Sequence, residues 1–357
     1  MVTTRSKERK LKKSDNVGSA SWSNLSHDLL LLIIMQVGVF DFIAFSGVCR
    51  AWRSVALCNW NTFMGSKQPM RLSISARLNK KECYLEDHTR RKLETTIPHS
   101  SGRMCVGLTC GYLIFFGRKT RDFWLVNPLT RKELHFPGFP FVISHISTHV
   151  RGILVFSPSM SAWVFVVLTH RFSNGISFSI AGKQGKWSYI SSISPIRDLH
   201  LFKGKIYTIN TDNDLFELKL NPLPTLTLQR MENIPWSNFR YLGFISSGES
   251  LYAIDIFRDE FEAFELDLTE MQWVKTESAL GEYAFFVSDF KCEAAIKPDT
   301  WAHPCTQYKM INYFGGGGRS TKSGRCIFSN MWYFPHNCLN DNGGDMGTGA
   351  VLNTLDE

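Results

Sequence analysis

The sequence predicts an α+β multidomain protein in which a small N-terminal three-helix module precedes a large all-β domain with the repeat pattern of a β-propeller. Three observations predict it. Residues 25–52 read LSHDLLLLIIMQVGVFDFIAFSGVCRAW, a run with helical spacing. Beyond residue 99 helical periodicity fades, and short strands bounded by Gly, Pro, Asn and Asp recur. The recurring glycines Gly111, Gly152, Gly204 and Gly248 are separated by 41, 52 and 44 residues, which suits blades of four strands.

Within the first run, Ser26 is placed as an N-cap, and Asp28 sits in the first turn, where the helix dipole favours negative charge. Apolar residues 29–35 continue that helix for about two turns, and Gly38 is read as its stop. Asp41 is a second N-cap ahead of Phe42, Ile43 and Phe45. Gly47 interrupts before Val48, Cys49, Trp52 and Val55 resume a helical stripe. Any three-helix unit needs an inside, and Ile33 and Phe45 are assigned to it. A unit of about 40 residues cannot bury so many apolar side chains alone, so the surplus marks a face for another protein.

Identities at fixed spacing go further than the helices. Leu25-Ser26, Asp28-Leu29-Leu30, Ile33, Val37, Val39, Asp41-Phe42-Ile43 and Phe45, closing with the V-C-x-x-W-R-S-V of residues 48–55, resemble the F-box, especially its plant form. The resemblance implies docking on the Skp adaptor, and through it on the cullin and RING subunits, of a ubiquitin ligase. It also implies the contacts: Leu25, Leu29, Val39, Phe42, Val48, Cys49 and Trp52. Ser26 stands where F-boxes usually carry proline, and Gly38 where they often do. Serine keeps the capping chemistry but gives up the rigid entry of proline, which lowers the adaptor affinity to be expected.

Sequence composition divides the chain into a basic tail (1–20), the F-box (21–62), a transition (63–98) and the β domain (99–357). Arg71 to Ser75 alternates like a strand within the transition, whereas residues 80–92 are charged and read as an exposed connection. In the β domain the recurring unit is a glycine turn, a strand, a charged turn and a second strand. It is seen around Gly111 with the strands at 112–116 and 123–130, around Gly204 with those at 205–209 and 215–218, and around Gly248 with those at 251–254 and 261–267. About 260 residues hold five or six blades of this kind. LVNPLT at 125–130 with Phe136-Pro137, the GKIY turn at 204–207, Trp273-Val274 with LGEYAFF at 280–286, and GDMG at 344–347 resemble the C-terminal propeller of the KIB-type F-box proteins. That resemblance implies capture of a protein target rather than chemistry.

The formal charge of +8 is concentrated at the start: Arg5, Lys7, Arg9, Lys10, Lys12 and Lys13 against Glu8 give +5 in 13 residues, leaving +3 for the rest. The folded part is close to neutral, which argues against a specific nucleic-acid surface, and the tail is a nuclear-import candidate. Nine scattered cysteines without a C-x-x-C pair suit a reducing compartment. His303, Cys305, Cys326, His336 and Cys338 lack the ligand spacing of a zinc site, so no metal and no cofactor is expected. The apolar run 29–40 has 12 residues, short of the roughly 20 that span a bilayer, and the uncharged 152–169 is broken into two strands by Ser157, Pro158, Ser159 and Ser161. GGGRSTKS at 316–323 nearly spells a P-loop, but Thr321 replaces the glycine before the lysine and a strand follows instead of a helix. Neither G-x-S-x-G nor H-E-x-x-H occurs, and Asp259-Glu260 reads as a turn. The expectation is a non-catalytic substrate receptor of an SCF-type (Skp–cullin–F-box) ligase in the nucleus and/or cytoplasm. The alternatives are a ligase-independent F-box protein that tethers a nuclear partner, and a propeller hydrolase or oxidase that would carry a metal or cofactor.

Overall fold

The computed structural model describes residues 22–59, 62–63, 66–75, 82–141, 143, 150–169, 173–182, 186–220, 223–235, 242–247, 249–255, 262–275, 283–288, 294–296, 307–310 and 327–333. The chain divides into two units, Met1–Phe63 and Met64–Glu357.

In the first unit a 3-10 turn, Trp22–Asn24, precedes α1 (His27–Gln36), α2 (Val39–Ser46) and α3 (Arg50–Cys58). Ser26 caps α1: its side-chain oxygen accepts a hydrogen bond from the Leu29 amide at 3.4 Å, with Asp28 in the first turn. Gly38 is the N-cap residue of α2, and Asp41, expected in that role, lies inside the first turn instead. A carboxylate is favoured by the helix dipole at either position, so the sequence signal does not separate them. Gly47 ends α2, and the Arg53 guanidinium donates to the Ser46 carbonyl at 3.1 Å, satisfying one of the terminal acceptors. The helices close over Leu30, Ile34, Val39, Phe42, Phe45, Val55, Ala56 and Phe63. The Phe42 and Phe63 rings stack at 4.1 Å. Phe45 is inside as expected, whereas Ile33 is only partly covered and its neighbour Ile34 takes the core position.

The second unit is all β. Its first antiparallel sheet contains β1 (Met70–Ser75), β2 (Glu82–Glu86) and β3 (Lys92–Thr96), and its second contains β4 (Met104–Thr109), β5 (Tyr112–Gly117), β6 (Asp122–Val126) and β7 (Glu133–Phe136). Seven strands in chain order make the next sheet: β8 (Arg151–Ser157), β9 (Ala162–Leu168), β10 (Ser173–Ile180), β11 (Trp187–Phe202), β12 (Lys205–Asn210), β13 (Leu215–Lys219) and β14 (Thr225–Gln229). Then come β15 (Leu242–Ser246), β16 (Leu251–Asp255), β17 (Ala263–Asp267) and β18 (Gln272–Lys275), followed by a three-stranded sheet of β19 (Ala284–Ser288), β20 (Ala294–Ile296) and β21 (Gln307–Met310). Last, β22 (Ile327–Tyr333) returns to pair antiparallel with β1, giving the first sheet the order β22-β1-β2-β3.

The seven-stranded sheet is two blades sharing one strand. The first part of β11 pairs with β10 (Ile190 opposite Ile176), and its second part pairs with β12 (Leu199 opposite Thr208). Pro195, which has no amide to donate, sits where one ladder gives way to the other. Among the described residues the strands thus group into six blades, and these touch in order: β4 lies against β8, β8 against β11, β11 against β15, β15 against β20, and β19 against β22. Between the first two blades, Arg131 Nη2 donates to Thr95 Oγ1 at 3.3 Å.

Strands such as β5, β9 and β19 are buried on both faces, which explains apolar runs without alternation. Along β9, Phe165 and Val167 pack toward the second blade, while Val164, Val166 and Leu168 pack toward the fourth. Two of the four recurring glycines are hairpin glycines: Cys110-Gly111 (φ 46 and 76) and Lys203-Gly204 (φ 46 and 74) each form a two-residue turn with positive φ at both positions. Gly152 is not their counterpart. It lies within β8, where a Cβ would meet Ile114 Cδ1 at 2.6 Å, so it serves blade packing. Gly248 lies outside the described residues.

The transition read at 63–98 is corrected: it supplies β1–β3, and the β unit begins at Met64 rather than near residue 99. Charge misled there, because the half-buried positions of β2 carry Glu82 and Glu86 and the exposed positions of β3 carry Lys92 and Glu94. The P-loop-like stretch and the hairpin loop read into it, residues 311–326, lie outside the described residues.

Candidate protein-docking face

The adaptor residues expected from the F-box resemblance fall into two groups. Leu29 is 50% exposed and Val48 57%, while Leu25, Cys49 and Trp52 are half-buried. Val39 and Phe42 are not surface residues: at 4% and 0% exposure they belong to the core, Phe42 being held against Phe63. The reason is the helical period, since Val39, Phe42 and Phe45 lie on one side of α2 and that side faces the other helices. Trp52 has a double role. Its indole N–H donates to the Trp22 carbonyl at 3.0 Å and its ring lies 4.3 Å from Phe45, so it fixes the N-terminal turn.

Two further residues join the exposed set. Trp22 is 72% exposed and Leu32, one turn beyond Leu29 on the same side of α1, is 64% exposed. One exposed leucine is ordinary, but Trp22, Leu29, Leu32 and Val48 on so small a unit are an apolar surplus. The signal for Leu32 lay in the i, i+3 spacing from Leu29. The nuclear-import candidates Arg5, Lys7, Arg9, Lys10, Lys12 and Lys13 lie outside the described residues, as do His303, Cys305, Cys326, His336 and Cys338. Among the described residues, no group of three His, Cys, Asp or Glu is placed to hold a metal, and no helix is long and apolar enough to cross a membrane.

In the propeller, buried polar groups join blade to blade. Asp198 on β11 is fully buried and takes a bidentate ion pair from Arg151 of β8, Nε to Oδ1 at 2.7 Å and Nη2 to Oδ2 at 3.0 Å. It also accepts from the Leu199 amide at 2.9 Å and from the Phe244 amide of β15 at 2.8 Å, so one carboxylate ties three successive blades. His200 shares a 2.9 Å hydrogen bond with Ser246 Oγ. Its burial, and then the Arg151 charge, push the imidazole down to about 4 against the opposing pull of Asp198. On the second blade Asp122 accepts from Arg103 Nη2 at 2.8 Å, from Thr120, and from the Trp124 indole at 3.0 Å, with His135 Nε2 at 3.1 Å. Burial alone would raise this carboxyl, but the bonds from Arg103, Thr120 and His135 and the Arg103 charge outweigh it and hold it at about 2. Trp124 is sandwiched between the His99 ring at 3.7 Å and the His135 ring at 4.2 Å.

A three-helix unit followed by a chain of antiparallel blades is the architecture of the described residues. Residues 22–62 match the model of the F-box domain and residues 82–302 that of the KIB1-4 beta-propeller. The latter spans more than half of the chain, which belongs to the family of F-box proteins with a KIB1-4 propeller. An F-box followed by a propeller fits the substrate-receptor subunits of SCF ligases in general, F-box domains bind the Skp adaptor, and F-box proteins are typically non-catalytic subunits. No curated protein matches the chain. Among solved structures, it is similar to PorZ of the type-IX secretion system of Porphyromonas gingivalis (10% identity over 69% of this chain and 35% of that one, TM-score 0.40). It is also similar to TolB from Acinetobacter baumannii (11% over 66% and 61%, TM-score 0.36). A third is a structural genomics protein of unknown function from Bacteroides thetaiotaomicron (7% over 62% and 66%, TM-score 0.32). The chain spans less than two thirds of the length of each of these three.

Proposed function

We propose that this chain is the substrate-receptor subunit of an SCF-type ubiquitin ligase, held on the Skp adaptor by the exposed apolar face of its F-box while the propeller binds the target. The observation that supports this most directly is the set Trp22, Leu29, Leu32 and Val48, exposed on a helical unit whose own core is already closed by other residues. Tethering alone suffices for function: holding a target near a charged ubiquitin-transfer enzyme raises its effective concentration, and the chemistry belongs to other subunits. On this reading the basic residues 5–13 direct the chain to the nucleus.

The test is calorimetric titration of the full chain with purified Skp adaptor. Wild type binds, and Leu29→Asp with Val48→Asp weakens binding by at least about tenfold, since an apolar contact is replaced by a buried charge. Wild type that does not bind the adaptor sinks the proposal. Binding to the adaptor without recruitment of cullin from the assembled mixture would favour the ligase-independent tether.

A further inference from the structure

The turn between β5 and β6 carries Arg118, Lys119 and Arg121, all exposed, in a stretch of four residues. Among the described residues neither Lys119 nor Arg121 forms an ion pair, and the nearest acid, Asp122, is 6% exposed and committed to Arg103, Thr120, Trp124 and His135. Glu133 is likewise taken, its carboxylate 3.0 Å from His99. The charges of Lys119 and Arg121 are therefore not neutralised by the acids beside them.

Next to the turn stands an exposed aromatic pair. The Arg121 carbonyl accepts the Phe139 amide at 2.7 Å, and the Phe139 ring is buried against Phe123 and Trp187. Two residues further on, Phe141 is 41% exposed and meets Tyr189, itself 51% exposed, with ring centroids 5.5 Å apart. Tyr189 is anchored through its hydroxyl to the Asn174 carbonyl at 3.3 Å and rests over Gly175, where a Cβ would meet its ring at 2.3 Å. Cations and rigid aromatic anchors are thus fixed to one rim of the second and third blades.

We propose that this rim is a docking surface for an acidic segment of a target protein, with carboxylates facing Lys119 and Arg121 and an apolar side chain packing on Phe141 and Tyr189. The inference rests on the receptor reading above and deepens it by assigning the class of target. Charge complementarity selects the occupant: uncompensated cations flanking aromatic rings suit a short carboxylate-rich peptide. Lys119 and Arg121 are two cations, fewer than the several phosphate contacts on which nucleic-acid affinity depends.

The probe is a fluorescent peptide of alternating Glu and Phe, measured by anisotropy against the full chain, with its Lys-and-Phe counterpart as control. The Glu peptide binds, the Lys peptide does not, and rising salt weakens the complex. Lys119→Glu with Arg121→Glu reduces affinity by about tenfold, and Phe141→Ala reduces it as well, while adaptor titration is unchanged by these variants. The milder Lys119→Gln with Arg121→Gln pair serves if charge reversal disturbs folding. Equal binding of both peptides, unchanged binding by the Gln pair, or tighter binding of a labelled oligonucleotide than of the Glu peptide would overturn the proposal. Each of these outcomes is independent of adaptor binding, whose failure concerns the ligase assignment alone.

Discussion

His200 and Asp122 set the response of the propeller to acid, and they act in different windows. The folded state holds the His200 ring at about 4 where an ordinary imidazole titrates near 6.5. The unfolded chain therefore takes up a proton that the folded one refuses, and stability falls as pH drops from about 6.5 toward 4, by up to about 3 kcal/mol. Asp122 is shifted downward as well, in a more acid window. Its carboxyl titrates at about 2 instead of 3.8, so its contribution is complete above 3.8 and is lost as pH falls toward 2, about 2 kcal/mol in all. Denaturation midpoints recorded from pH 7 downward should decline in two successive stages. His200→Gln should flatten the upper stage and Asp122→Asn the lower, and midpoints that stay constant between pH 7 and 5 would contradict the account of His200. Neither residue announced itself in the sequence, because both environments are assembled from distant strands: Arg103 lies 19 residues before Asp122, and Ser246 lies 46 residues after His200.

The helices show which part of a helical unit the sequence can specify. Capping by Ser26 and the three-helix order were legible, since they depend on neighbours within four residues. Sorting apolar residues between core and surface was not, because α2 presents Val39, Phe42 and Phe45 to helices whose positions no local spacing reveals. A mutational contrast follows. Phe42→Ala removes a fully buried ring stacked on Phe63 and should cost the F-box unit about 3–5 kcal/mol, seen as an early melt in circular dichroism. Leu29→Ala and Leu32→Ala, at half-exposed positions, should leave the melt within about 0.5 kcal/mol of wild type. An equal loss for both kinds of substitution would mean that the exposed leucines are structural. The strands divide in the same way: strands with apolar runs, such as β5 and β9, stood out, whereas the charged strands β2 and β3 read as a linker.

At the scale of the molecule, the repeat spacing found the blades but not the closure. Pairing of β1 with β22 joins segments some 250 residues apart, and such a contact leaves no periodic trace. Its energetic weight is visible in Met331 and Tyr333, both fully buried, opposite Leu72 and Met70. Met331→Asp buries a charge in that seam and should lower stability by at least about 3 kcal/mol. Hydrogen exchange should then quicken in β1 and β22 while amides of α1 to α3 keep their protection, and uniform loss across both units would argue that they fold as one.

The same seam fixes an order of events during synthesis. Residues of the F-box leave the ribosome first, and β22 follows on the order of tens of seconds later at ordinary elongation rates. Throughout that interval β1 offers an open edge with Met70, Leu72 and Ile74 uncovered by their final partner. A nascent chain can therefore complete its F-box helices before its propeller closes, and chaperones that recognise unpaired edges have the same interval in which to hold it.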